Sequence, residues 1–348
     1  MTCQHFSQCG GCLHQDKSDE VQVKMKTDFF LTNLRHHGID TEIASFHQSP
    51  LGTRRRATLT AKRTKKTIQI GFLEMGSHNL IDIQECIVIL PEIVALKSFA
   101  LAITPLVASR SAQIKFHITA CANGFDILIE NAKQVEPHIK AKIATHCAAH
   151  KVRRLSMNDE IIYQDDTPLI QMGAHLIAIP PHPFLQATTD CEEHLRKLVG
   201  QAMDGCKNIA DFFAGLGTFS LNLTQNVTAI EGDAELVKAM QGNLNRLSIH
   251  NVTAQARDLF RNPLVPNELK EFDGVIIDPP RAGAEAQCRT LAESHIKRIA
   301  FISCDVKGFG RDARILIEGG YALKEVHLID QFRFSNHLES FALFEKTA

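Results

Sequence analysis

The second half of the chain repeats one unit, a short apolar run followed by a stretch of helical periodicity. From Phe184 onward the runs fall at 209–213, 227–231, 252–256, 274–278, 299–303, 325–329 and 339–345, and helical stretches such as 234–247 separate the earlier ones. Strands alternating with helices predict an α/β fold, a mostly parallel, doubly wound sheet with helices on both faces. Only a short loop parts the last two runs, too short for a right-handed crossover. They are expected to form an antiparallel pair at the sheet edge.

The first half has no such rhythm. Helical stretches at 19–37, 91–109 and 134–150 mix with strand pairs at 52–73 and 113–130, which predicts an α+β domain. Ile179-Pro-Pro-His-Pro-Phe184 carries three prolines in six residues and breaks any continuous element, so the expected division is 1–178 and 179–348. A chain of 348 residues suits two domains at roughly 150 residues each. No apolar run reaches transmembrane length and the start MTCQHFSQCGGC does not read as a signal peptide, so a soluble cytoplasmic protein with no membrane contact is expected.

Thirty-eight basic against thirty-nine acidic side chains exclude a uniformly basic coat. Against that balance one segment stands out. Arg54, Arg55, Arg56, Lys62, Arg63, Lys65 and Lys66 place seven cations and no anion in residues 54–66, which favours contact with a polyanion. The ten cysteines are also unevenly used: Cys3, Cys9 and Cys12 form C-x5-C-G-G-C, and the next is Cys86. In a chain without a secretion signal this suggests metal binding. Four thiolates suit either zinc or an iron–sulfur cluster; one close pair with one upstream and one distant cysteine is irregular for a zinc ribbon, which favours the cluster. Cys121, Cys147, Cys191, Cys206 and Cys288 read as core residues, and no histidine falls in a convincing ligand spacing.

Several motifs sit at predicted strand ends, where ligand crevices form in open α/β sheets. Asp211-Phe-Phe-Ala-Gly-Leu-Gly-Thr-Phe219 puts Gly215 and Gly217 between a strand and a helix, and Glu231 ends the next strand where a ribose hydroxyl pair would be gripped. The glycine fingerprint is incomplete, which speaks against a dinucleotide oxidoreductase, but glycines and acid together favour a nucleoside cofactor. Asp278-Pro-Pro-Arg-Ala-Gly283 brings a rigid carboxylate to the crevice mouth, a segment type used in methyl transfer to bases. Cys304 ends another strand, and Glu339 opens the final antiparallel one at the same sheet end.

Taken in order, C-x5-C-G-G-C, Cys86, FLQAT, DFFAGLGTFSL, IEGD, DPPRAG, ISCD and HLESFALFEK resemble the bacterial RNA uracil-5-methyltransferase family, which includes iron–sulfur 23S rRNA enzymes and the tRNA ribothymidine-forming enzyme. The resemblance spans essentially the whole chain. It implies a C-terminal Rossmann-like class I methyltransferase domain and an N-terminal α+β domain carrying a 4Fe-4S cluster on Cys3, Cys9, Cys12 and Cys86. It implies S-adenosylmethionine contacts from Gln186, Phe213, Glu231 and Asp278, with Cys304 as nucleophile and Glu339 as base. RNA is the implied partner, 23S rRNA before tRNA because the tRNA branch generally lacks the cysteines; no protein partner is implied. A non-catalytic RNA-binding protein, or a methyltransferase acting on an exocyclic amine, are the alternatives. In this chain Asp305 follows Cys304 where the family usually has asparagine. A carboxylate there opposes thiolate formation unless it points away or pairs with Lys307 or Arg311.

Overall fold

The computed structural model describes residues 2–110 and 112–347. In the first half, helix α1 (Asp19–His36) and strand β1 (Ser45–Gln48) precede β2 (Arg56–Arg63), β3 (Ile68–Leu73) and β4 (Leu80–Asp82). Helices α2 (Pro91–Ala95) and α3 (Lys97–Val107) lead to β5 (Gln113–Cys121), β6 (Gly124–Glu130), α4 (Pro137–Ala149), β7 (Val152–Met157) and β8 (Glu160–Gln164). A hairpin follows, β9 (Leu169–Met172) and β10 (His175–Ala178). The second half runs α5 (Thr189–Ala202), β11 (Asn208–Phe212), β12 (Asn226–Glu231), α6 (Ala234–Leu247), β13 (Val252–Ala256), β14 (Gly274–Ile277) and α7 (Glu285–Ala292). It ends with β15 (Arg298–Ser303), α8 (Val306–Glu318), β16 (Tyr321–Asp330) and β17 (Glu339–Lys346).

Two sheets organise these elements. Strands β4-β3-β2-β5-β6-β7-β8, in that order, make the first, antiparallel except where β6 meets β7. Its core includes Leu59, Phe99, Phe116, Ile127 and Leu155, with side chains from α3 closing one face. The second sheet has the order β1-β16-β17-β15-β14-β11-β12-β13. It is parallel except for β17, which runs antiparallel to both β15 and β16.

The expected division at 178/179 is not how the chain packs. Helix α1 lays Phe30 and Leu34 into the core of the second sheet, where the Phe30 ring stacks on Phe309 with centroids 5.7 Å apart. Strand β1 pairs in parallel with β16 and covers what would have been the sheet edge. Hairpin β9–β10 adds Ile170, Met172 and Ile177 to the core that contains Leu195 and Val227. A four-residue strand that is half-buried along its whole length shows no alternation, so its sheet cannot be read from its own residues. The stretch expected as one helix at 91–109 is two, meeting at Leu96.

Helix α1 is well specified at both ends. The Ser18 hydroxyl accepts the Val21 N–H, acids occupy the first turn and Arg35 and His36 the last, as a helix dipole favours. Its buried face is Gln22, Lys26, Phe30 and Leu34, spaced by four. The Lys26 ammonium, 6% exposed, donates to Asp330 Oδ1 at 2.6 Å and to the carbonyls of Phe332 and His337 at 3.2 and 3.1 Å. Its three hydrogens are thereby matched by three acceptors. Removing one member of a buried pair strands the other charge, which typically costs about 3–5 kcal/mol. Lys26→Met should therefore lower the urea midpoint by an equivalent amount; a loss below about 1 kcal/mol would show that α1 is held by its apolar face alone.

Candidate active site

In the second sheet β11, β12 and β13 step one way and β14 and β15 the other, so β11 and β14 flank the point where strand order reverses. The carboxyl ends of such strands diverge into a crevice. The loop after β11 enters it with an unusual backbone: Phe213 has φ +61°, Gly215 +57° and Gly217 +85°. An aromatic residue rarely adopts the left-handed region, so the surrounding structure enforces it at Phe213. A Cβ on Gly217 would come within 2.9 Å of Leu221 Cγ, whereas one on Gly215 would meet nothing within 4 Å. Bare backbone thus faces open space at Gly215. Glu231, ending β12, accepts the Gly215 N–H on Oε2 and the Asp233 N–H on Oε1, both at 2.9 Å. Bare glycines, open space and an adjacent carboxylate fit a nucleoside cofactor.

The other wall is acidic and contains the cysteine. Strand β14 hands on to Asp278 and β15 to Cys304, while β17 starts at this end, with Ser340 paired to Ser303. Glu339, 3% exposed, therefore lies at the same edge as Cys304. Gln331 joins the parts. Its amide donates to Gln186 Oε1 at 2.7 Å and to Glu339 Oε2 at 2.9 Å, and its Oε1 accepts the Ala187 N–H at 2.7 Å. The Gln186 amide donates on to Asp278 Oδ2 at 3.4 Å. Four side chains from three segments are thus fixed in one buried chain of hydrogen bonds. Gln331 has no motif of its own in the sequence; its role arises from a loop that two antiparallel strands return to the crevice.

Crowded carboxyl groups set the electrostatics. Burial pushes Glu339 up to about 7 against hydrogen bonding from Gln331. Burial, then Glu339 and Asp211, raise Asp278 well above the usual aspartate range. Burial likewise lifts Asp211 to about 7, although the Ser220 hydroxyl donates to it. Asp211 was not singled out from the sequence, although an acid inside the apolar run IADFF would have been the signal for it. Cys304, half-buried, is pushed up to about 11 by burial first and then by Glu339 and Asp278, with Arg281 opposing. At that value it is a thiol at neutral pH, and neutralising the neighbouring negative charge removes only the smaller part of the cost of a thiolate. Asp305 adds nothing to that burden, because its carboxylate turns into the start of α8 and accepts the Gly308 N–H at 2.6 Å. Arg311 is engaged with Glu285 and Asp312 instead.

At the N-terminus, Cys3, Cys9, Cys12 and Cys86 are drawn together. A thiolate on Cys86 raises each of the other three, so all four share one neighbourhood. The His5 N–H donates to Cys3 Sγ at 3.4 Å and the Gly11 N–H to Cys9 Sγ at 3.5 Å. Cys121 and Cys206, expected as core, are only half-buried, while Cys147, Cys191 and Cys288 are buried.

The basic run divides by position. Arg55 is 4% exposed and locked to the Glu192 carboxylate and the Gln186 carbonyl, so it is a structural cation and not an exposed RNA contact. Arg63 is half-buried and donates to the Pro105 carbonyl. Lys62, Lys65 and Lys66 are exposed near the β2–β3 turn. Arg54 and Arg56 line a cavity of about 460 Å³ between the two sheets, which also contains Phe184, Phe332 and Gln331. The Arg56 guanidinium lies 5.8 Å from the Phe184 ring centroid and that of Arg54 lies 5.6 Å from Phe332.

A buried acid of raised pKa makes stability fall as pH rises. The folded protein holds the Glu339 proton up to about 7, whereas the unfolded chain releases it near 4.5, so stability is lost through that window. Glu339→Gln should melt like wild type at pH 5 and higher than wild type at pH 8; equal melting at both values would contradict a raised Glu339.

A profile of the tRNA (uracil-5-)-methyltransferase family matches residues 179–347. An uncharacterized RNA methyltransferase of Mesorhizobium japonicum is 38% identical over 99% of this chain and 84% of its own length. A 23S rRNA (uracil(1939)-C(5))-methyltransferase of Chromohalobacter salexigens is 31% identical over 99% of this chain and 76% of its own length. Among solved structures, the Pyrococcus abyssi tRNA (uracil-54, C5)-methyltransferase in complex with S-adenosyl-L-homocysteine superposes with a TM-score of 0.79, covering 97% of this chain and 84% of that one at 20% identity, a likeness of fold. Matched end to end by relatives above 30% identity, the chain belongs to the RNA (uracil-5-)-methyltransferase family.

Proposed function

We propose that the protein methylates C5 of a uridine in 23S rRNA through a covalent adduct on Cys304. The observation that carries this reading is the meeting of one cysteine with two carboxyl groups of raised pKa at a single sheet edge. The rRNA assignment follows the Chromohalobacter salexigens relative. Gln186, Phe213, Gly215, Gly217, Glu231 and Asp278 would hold S-adenosylmethionine, which supplies an electrophilic sulfonium methyl group.

Uracil C5 is too weak a nucleophile to take that methyl unaided. The Cys304 thiol gives up its proton to solvent, and addition of the resulting thiolate to C6 forms an S–C6 bond and moves an electron pair to C5 and O4. C5 then accepts the methyl group. The Glu339 carboxylate removes the C5 proton, the pair re-forms the C5–C6 double bond, and Cys304 leaves as thiolate. A carboxyl group near 7 suits proton transfer at neutral pH, and Gln331 holds its oxygen in place. An exocyclic amine would require none of this.

Cys3, Cys9, Cys12 and Cys86 would hold a 4Fe-4S cluster, whose part here is to staple the N-terminal loop to the segment around Cys86. Backbone N–H groups directed at the sulfurs suit such a cluster.

The cavity between the sheets supports entry of single-stranded RNA. Phe184 is 69% exposed beside Arg56, and Gln331 joins the cavity to Glu339. A target base must leave its stack to reach such a site, and stacking on an aromatic ring is worth roughly 1–3 kcal/mol per base. Phe184→Ala should raise KM for RNA about tenfold or more with cofactor affinity unchanged; an unchanged KM would remove this route.

The reaction itself is tested by tritium release from RNA labelled at uracil C5, using RNA from a strain that lacks the enzyme. Release that requires both S-adenosylmethionine and Cys304 is expected. Release undiminished in Cys304→Ala would overturn the covalent route, and none from wild type would overturn C5 methylation.

A further inference from the structure

We propose that His47, Asp190 and Cys191 form a zinc site, separate from both the crevice and the N-terminal cysteines. A His47 ring nitrogen, an Asp190 carboxylate oxygen and Cys191 Sγ all lie within 4.8 Å of one another, the one such group of histidine, cysteine and carboxylate donors among the described residues. His47 comes from β1, and Asp190 and Cys191 from the first turn of α5. The His47 Nε2 to Asp190 Oδ2 distance is 2.6 Å, and the Cys191 side chain is fully buried beneath them.

A second observation points to an additional occupant. The His194 ring stacks on His47 with centroids 4.2 Å apart and planes 9° from parallel, and its Nε2 is buried with no hydrogen-bond partner. A buried polar atom without a partner is costly. Three protein donors leave tetrahedral zinc one position for water, and a metal-bound water is a hydrogen-bond donor of the kind that nitrogen lacks.

The donor set selects the metal. Sulfur, imidazole nitrogen and carboxylate together suit zinc, while magnesium and calcium take oxygen. Burial first, then the charges of Asp190, Asp330 and Glu339, push the Cys191 thiol up to about 12 against hydrogen bonding from Thr188, so zinc must displace its proton. Zinc with one thiolate, one carboxylate and a neutral imidazole is net neutral, which a half-buried site tolerates. Binding forms the Zn–S bond and releases the Cys191 thiol proton to solvent, while neutral His47 offers its Nε2 lone pair. The site would tie edge strand β1 to a helix whose lead-in carries Gln186.

The test is a cobalt(II) titration of anaerobically purified holoprotein, following thiolate-to-cobalt charge transfer and tetrahedral d–d absorption. Wild type should bind one equivalent more than Cys191→Ser and more than Asp190→Asn. Asp190 is 41% exposed at its side chain, so the second variant spares the core. Zinc should raise Tm more in wild type than in either variant. Because the readout is a difference between variants, metal taken up by Cys3, Cys9, Cys12 and Cys86 cancels. Equal stoichiometry in wild type and both variants would overturn the site and leave a histidine–aspartate hydrogen bond above a core thiol.

Discussion

A buried ammonium holds the edge that carries Gln331 and Glu339 in place. Lys26 reaches from a helix near the chain start into the loop between the last two strands, where Asp330, Phe332 and His337 receive it. That loop presents Gln331 and leads into Glu339. A lysine of this kind is pushed downward by burial and upward by Asp330, so its charge and the loop's conformation are mutually dependent. Helix α1 is consequently part of the methyltransferase fold, though three hundred residues of sequence separate Lys26 from Asp330.

The same edge gathers acidic groups beside Cys304, the proposed nucleophile. Asp278 and Glu339 cannot both ionise cheaply in one dry pocket, and each raises Cys304 when it does. A sulfonium cofactor brings positive charge, and protonation of the carboxyl pair removes negative charge; either lowers the cost of a thiolate. Asp305 would have added a third opposing charge had it faced the crevice. Its use as a helix cap makes the exchange of asparagine for aspartate electrostatically tolerable, since both residues cap helices well.

Much of this was legible from the sequence, and what escaped has definable causes. The strands from 208 to 346 and helix α6 follow from apolar runs bounded by turn residues, and the site motifs lie at their ends. Strand β1 escaped because four residues without alternation carry no sheet signal. Gln331 escaped because its importance lies in three hydrogen-bond partners, two of them about 145 residues away. His47 and Asp190 are separated by 143 positions, so ligand spacing along the chain had nothing to detect. Arg55 looked like its charged neighbours, and only its partner Glu192, supplied by a helix of the other half, distinguishes it.

Arg54 shows how the two halves are coupled. Burial lowers it, while thiolates at Cys86 and Cys12 would raise it, so its guanidinium lies within electrostatic reach of the cysteines. The same guanidinium sits over Phe332, the residue after Gln331. Its backbone bridges to Ile89 on one side and Thr188 on the other, the latter two residues past Gln186. The sulfur ligation proposed at the N-terminus would therefore attract a cation that braces both the Gln186 segment and the Gln331 loop. A cluster there need not exchange electrons with the substrate to matter: holding the Arg54 guanidinium in place would be a sufficient physical reason for cysteines outside the crevice to affect chemistry within it.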